Sequence, residues 1–203
     1  MLALYQLKNK SMNKLILFFS LIVLSFTSFG QKKINQTLSK QIDSLRDEDQ
    51  KPVSMKPADR AAAEFQLVIR RNFPLVKSII DQYGFPGYDL VGKESSHNYW
   101  MLVQHSDFDL PFQKRALILM KVQLDKHNAS GQDYAYLIDR IALNEGHQQV
   151  YGTQINMSEK GTTIKPCIDT LNLDKRRLSV GLNPIKDYLK RCDSVYHEIN
   201  KKQ

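Results

Sequence analysis

The sequence predicts a mainly α-helical fold, a single helical domain with a small C-terminal β-hairpin. Three observations predict it. Between residues 57 and 145 apolar side chains recur at helical spacing, interrupted by short breaks rich in Gly, Pro or Asn. From Gly146 to residue 168 the pattern changes to two β-compatible runs around the turn SEKG. Beyond that point the chain returns to helical periodicity as far as its end.

Residues 1–30 stand apart from the domain. Lys8, Lys10 and Lys14 precede an unbroken run of apolar and small hydroxyl residues at 15–29, LILFFSLIVLSFTSF. Ser28 and Gly30 then place small residues ahead of a cut before Gln31. A basic lead, a short apolar stretch and a small-residue exit describe a secretory signal peptide. A membrane span would need about 20 apolar residues. The expectation is therefore export to the periplasm or the exterior, with membrane contact only through this segment. Met12 offers an alternative start.

Residues 31–56 read as a polar leader that runs into a first helix near Thr37–Arg46, broken by Pro52 and Pro57 in KPVSMKP. Residues 57–203 make up the helical domain. Asp59–Arg71 reads as helix through RAAAEFQLVIRR. Asn72 is placed to cap a separate helix with Pro74 in its first turn, ending at Gly84. YGFPGYDLVG is a turn. Helices then follow over 93–106, 109–127 and 131–145, the last stopped by Gly146. QVYGTQINM and TTIKPCI form the arms of a hairpin near 150–168, and Pro166 confines the second arm to an edge. The C-terminal helical stretch breaks between Gly181 and Pro184.

Charge excludes some functions. Removing residues 1–30 takes three of the 29 basic residues and none of the 21 acidic ones, which leaves a net +5. That excess is modest and scattered. Its densest cluster, Lys175-Arg176-Arg177, lacks interleaved aromatic residues and reads as a solvated helix face, so no nucleic-acid partner is expected. The two cysteines, Cys167 and Cys192, form no Cys-x-x-Cys pattern. They are either a disulfide permitted by export or two free thiols.

Polar residues embedded in the apolar pattern mark the candidate site. On a helix over 93–106, His97, Gln104 and His105 share a face with Trp100 and Met101, while Tyr99, Leu102 and Val103 make another, so both faces meet protein or a cleft. Gln113 falls on the stripe of Ala116, Leu117, Met120 and Leu124, where an unpartnered amide would cost about 1–3 kcal/mol. Asp139 lies beside Ala135 and Ala142, which leave room for a group to approach it, either a ligand or an arginine such as Arg177. Arg140 turns to another surface. Gln148, Tyr151 and Gln154 surround a glycine in the next loop. Amides, histidines, carboxylates and aromatics together suit a polar, largely uncharged small molecule, a glycan or a peptide-like ligand.

The blocks GFPGYDLVG, WMLVQHSDFDLPFQ, YAYLIDRI, GHQQVYGTQ and DKRRLSVGLNPIKDY resemble a bacterial family classed as a domain of unknown function. The resemblance covers Asp49 to Tyr188. It implies shared positions at Gln104, His105, Asp107, Gln113, Asp139, Arg140, Gln149, Tyr151, Gly152, Thr153 and Gln154. Ser106 stands where the family has alanine, Phe85 where it has tryptophan, and Val53 where an arginine follows the Asp49-Gln50 block. The family supports the choice of residues and implies no activity.

Two functions follow as expectations. The first is a hydrolase or lyase acting on a neutral polar component of the cell envelope. His105 would be its general acid or base, oriented by Asp107 or Asp139, and Gln104, Gln113, Arg140, Gln149, Tyr151 and Gln154 would hold the ligand. The second is a non-catalytic binding or accessory module using the same residues. A metal set of His97, His105 and Asp107 has histidines eight apart, against the three or four typical of metal-binding helices, so no metal and no cofactor is expected. No serine elbow, reactive-cysteine signature or HExxH motif is present. An internal hydrogen-bond network is the alternative to any site, and the exposure of His105 separates the two.

Overall fold

Leu38, Ile42 and Leu45 recur at helical spacing and bury one face of the first helix, α1 (Gln36–Gln50), which Asn35 caps by accepting from the Leu38 N–H. The computed structural model describes residues 33–54 and 58–201. Residues 1–30, read from the sequence as a signal peptide, and Pro57 lie outside them. A 3₁₀ turn, Lys51–Ser54, follows α1 and carries Pro52. Next come α2 (Ala58–Tyr83), α3 (Tyr88–Gln104), α4 (Leu110–Asp125) and α5 (Gly131–Asn144). A hairpin of β1 (Ile155–Asn156) and β2 (Thr163–Ile164) leads through a second 3₁₀ turn to α6 (Leu173–Ser179) and α7 (Ile185–Asn200). The fold is mainly α-helical with a small antiparallel hairpin, as the periodicity predicts.

Four boundaries differ from the sequence reading. First, α1 runs beyond the Thr37–Arg46 read from the sequence at both ends, and it packs along α3 and supplies three core residues. Second, α2 is one helix in which Asn72 is interior and buried and Pro74 sits mid-helix. Val68 and Ile69 before that proline and Val76, Ile79 and Ile80 after it are all buried, and their packing outweighs the break that proline favours. Third, α3 begins five residues early and bends at Gly92, whose φ of 83° is one that side-chain-bearing residues rarely adopt. Fourth, the hairpin shrinks to two pairs, Ile155 with Ile164 and Asn156 with Thr163, and ends before Pro166.

The core lies where α1 to α5 meet, with Tyr99, Leu102, Val103, Phe112, Ala116, Met120 and Leu137 at its centre. A polar seam runs beside it between α1 and α3, which are parallel. Ser39 Oγ donates to the Val91 carbonyl (2.7 Å) and meets Ser95 Oγ, which donates to Asp43. Asn98 donates to the other Asp43 oxygen at 2.8 Å. These pairs fix the register of α1 on α3 and bring the C-terminal ends of both helices together. Gly181 and Pro184 mark the break between α6 and α7, as read from the sequence. No described helix is long and apolar enough to cross a membrane.

Candidate functional site

The apolar stripe of α1 continues one turn beyond Leu45 to Asp49, so the helix delivers a carboxylate to a core position. The residue facing it is His105, the C-cap of α3. His105 Nδ1 lies 2.8 Å from Asp49 Oδ2, and Gln50 Nε2 donates to the same oxygen at 2.8 Å. The Asp49 side chain is 2% exposed and that of His105 19%. A carboxylate only accepts, so Nδ1 carries the hydrogen, and in the neutral imidazole Nε2 presents its lone pair on the other side. Nε2 has no partner among the described residues and is not sealed from solvent. Phe65 packs edge-on against the imidazole, with ring centroids 5.1 Å apart, and limits its rotation.

Gln113, wholly buried, ties together the residues that flank His105 in the chain. Its Nε2 lies 3.0–3.1 Å from the carbonyls of Val103 and Gln104 and from Asp107 Oδ1. Asp107 in turn accepts from Arg140 Nη1 at 2.6 Å and from Asn144 at 3.2 Å. The amide oxygens of Gln104 and Gln113 are buried without a donor among the described residues.

Asp139 is elsewhere employed. It is wholly buried and accepts from the backbone N–H groups of Val150, Tyr151 and Thr153 and from the Thr153 hydroxyl, at 2.7–3.2 Å. The room beside Ala135 and Ala142 thus admits a backbone loop, not a ligand or Arg177. Gly152 makes that loop possible: its φ is 64°, and an added Cβ would lie 3.3 Å from Leu173 Cδ2. Gln149, also buried, clamps the same loop by donating to the Gln154 and Lys165 carbonyls and accepting from the Gln154 N–H. Gln154 Nε2 donates to Thr153 Oγ1 at 3.2 Å. Arg176 and Arg177 are not a solvated face. Arg176 donates to the carbonyls of Val150, Ile168 and Asp169, and Arg177 to those of Tyr151, Gly152 and Asn183.

The structure thus divides the nine sequence-predicted site residues into two groups. Gln104, His105, Asp107, Gln113 and Arg140 form a contiguous cluster, whereas Asp139, Gln149, Tyr151 and Gln154 hold the loop before the hairpin. The partner of His105 is neither Asp107 nor Asp139 but Asp49, which sequence reasoning missed. Its signal was present: Asp49 continues the spacing of Leu38, Ile42 and Leu45. His97 does not join His105. Its Nδ1 pairs with Asp133 Oδ2 at 2.9 Å and its ring stacks on Trp100, and the Asp133 hydrogen bond raises its pKa above the usual histidine value. No group of three or more His, Cys, Asp or Glu among the described residues is placed to hold a metal ion.

Fold and geometry together define an α-helical domain with a buried-carboxylate–histidine pair at the joined ends of two parallel helices. The chain belongs to the family of unknown function DUF6624, whose model matches residues 35–201. No curated protein and no solved structure matches it.

Proposed function

We propose that the Asp49–His105 pair is the acid–base centre of an enzyme, a hydrolase or lyase, acting on a neutral polar component of the cell envelope. One observation carries this reading: a buried carboxylate holds Nδ1 of a histidine whose Nε2 is uncommitted and reachable. That is the arrangement a general base requires, since the carboxylate selects the tautomer and stabilises the imidazolium formed on proton transfer. Gln113 braces the backbone on both sides of His105, and Arg140, held by Asp107, borders the same cluster. The export expected from residues 1–30 supplies the compartment. The shared positions that the sequence resemblance implies at Gln104, His105, Asp107 and Gln113 fall on this face.

A second reading is a binding module without turnover. It is favoured by one fact: no serine, threonine or cysteine hydrogen-bonds His105 among the described residues, so any attacking group must be water or part of the substrate. Muropeptides and their component disaccharides, incubated with the protein and followed by mass spectrometry, separate the two. Turnover abolished by His105→Gln and by Asp49→Asn establishes the enzyme. Binding that shifts the His105 Nε2 resonance without product establishes the module. An Nε2 resonance unmoved by every fragment, with no product, removes both readings.

A further inference from the structure

A cavity of about 460 Å³ lies between α5, the hairpin, the turn joining α6 to α7, and α7. It contains none of the residues of the Asp49–His105 cluster. The rings of Tyr136 and Tyr188 meet at its wall almost perpendicular, with centroids 6.5 Å apart, and Ile155, Leu182 and Val195 extend the apolar surface. Arg177 and Arg191 both border it, and none of its lining residues is acidic. The volume falls in the range of small-molecule sites, about 300–1,000 Å³, and the lining combines an apolar body with convergent polar groups, as such sites do.

Arg177 is the informative residue. It is 1% exposed, yet no carboxylate among the described residues makes an ion pair with it; Arg140, Arg115 and Arg176 each have one. Its Nε donates to the Asn183 carbonyl (2.6 Å) and its Nη1 to those of Tyr151 (2.7 Å) and Gly152 (3.3 Å). The face of Tyr188 supports the guanidinium at 4.9 Å. The side chain is thereby locked, while Nη2 has no protein acceptor among the described residues and is not sealed from solvent. Burial pushes the guanidinium below its ordinary pKa, and Asp139 and Asp174 act on it only from beyond ion-pair distance. Arginine stays charged even so. A buried cation with a spare donor at the wall of a partly apolar cavity is suited to an anionic group.

We propose that this cavity binds a small organic carboxylate with an apolar or aromatic body. The head group sits on Arg177 and Arg191, and the body lies against Tyr136, Tyr188 and Leu182. The apolar share of the wall selects such a molecule over inorganic anions, which have nothing to place there. The site is separate from the Asp49–His105 cluster, and its occupancy is independent of the chemistry proposed there.

Cys192 lines the cavity as a free thiol and reports on it; Cys167 lies outside and serves as internal reference. Iodoacetamide alkylation of both, read by peptide mass spectrometry, is titrated with 4-phenylbutyrate, 4-phenylbutyramide and inorganic phosphate. The acid is expected to protect Cys192 and spare Cys167, and the uncharged amide to need at least about tenfold more, a difference of ~1.4 kcal/mol. Arg191→Gln should raise the half-protecting concentration of the acid by a similar factor, about tenfold. Arg191 makes none of the hydrogen bonds that hold Arg177, so this variant tests the site even if Arg177→Lys fails to fold. His105→Ala should leave protection unchanged, which keeps this outcome distinct from that of the acid–base centre. Equal protection by acid and amide, protection by phosphate alone, an unchanged titration in Arg191→Gln, or no protection up to about 10 mM would each overturn the proposal.

Discussion

At the scale of single residues, the interior polar groups divide by what their removal leaves behind. Gln113→Ala strands the Gln104 carbonyl, leaves that of Val103 with backbone donors alone, and opens a cavity beside Ala116. The expected loss is about 1–3 kcal/mol in a denaturant melt. His105→Ala is not neutral either. From its place at a helix end, sequence alone suggests a side chain free to reach solvent at little structural cost, but the structure couples it to the buried Asp49. Truncating one member of such a pair leaves the other charge without its partner, so a loss of about 1–3 kcal/mol is expected, below the ~3–5 kcal/mol of fully buried pairs because His105 is partly exposed. Asp49→Asn/His105→Ala should recover part of it, and a double-mutant cycle on thermal melts measures the coupling. Strictly additive losses would show that the two side chains do not interact. Gln113 was legible as a buried amide from its stripe. Asp49 was not legible as the partner of His105, because 56 residues separate them and only the packing of α1 on α3 joins them.

At the scale of elements, Asp139 fastens the loop of residues 150–153 to α5. Asp139→Asn keeps the shape but turns an NH₂ toward backbone donors. It should cost on the order of 3 kcal/mol, with faster amide exchange at Val150, Tyr151 and Thr153 ahead of the rest of the chain. Uniform acceleration would show that the loop has no separate latch. The His97–Asp133 pair joins α3 to α5 and makes stability depend on pH. The Asp133 hydrogen bond raises the His97 pKa, burial and Arg46 oppose it, and the rise prevails. A raised folded-state value means that this contribution is fully present below the unfolded value of about 6.5 and is lost as pH rises through the folded value. The melting temperature of the wild type should therefore exceed that of His97→Gln by more at about pH 5.5 than at about pH 8.5; a pH-independent difference would sink the assignment. Helix existence was legible from periodicity throughout. Continuity through Pro74 was not, because it rests on buried side chains either side of the proline.

At the scale of the whole molecule, Cys167 and Cys192 are both free thiols, one after the hairpin and one on α7. The purified protein should therefore titrate with two thiols after unfolding in the absence of reductant, and reductant should leave its melting temperature unchanged. A mass lower by two hydrogens would reveal a disulfide. The exported form expected from residues 1–30 should carry Gln31 at its N-terminus in an intact-mass spectrum.

Sequence alone determined what local spacing can determine: a helical class, the positions of most helices and of the hairpin, and a set of polar residues too embedded in apolar pattern to be idle. Periodicity and turn chemistry act over a few residues, and those features depend on nothing longer. Tertiary structure decided who partners whom. It packed α1 into the core along α3 and gave His105 its carboxylate from there. It also turned Asp139 and Gln149 inward onto a loop and left Arg177 buried without an acid beside it. Spacing can show that a polar residue faces inward, but which group it meets there is decided by how the elements pack, and that pairing is not written in the sequence around either partner.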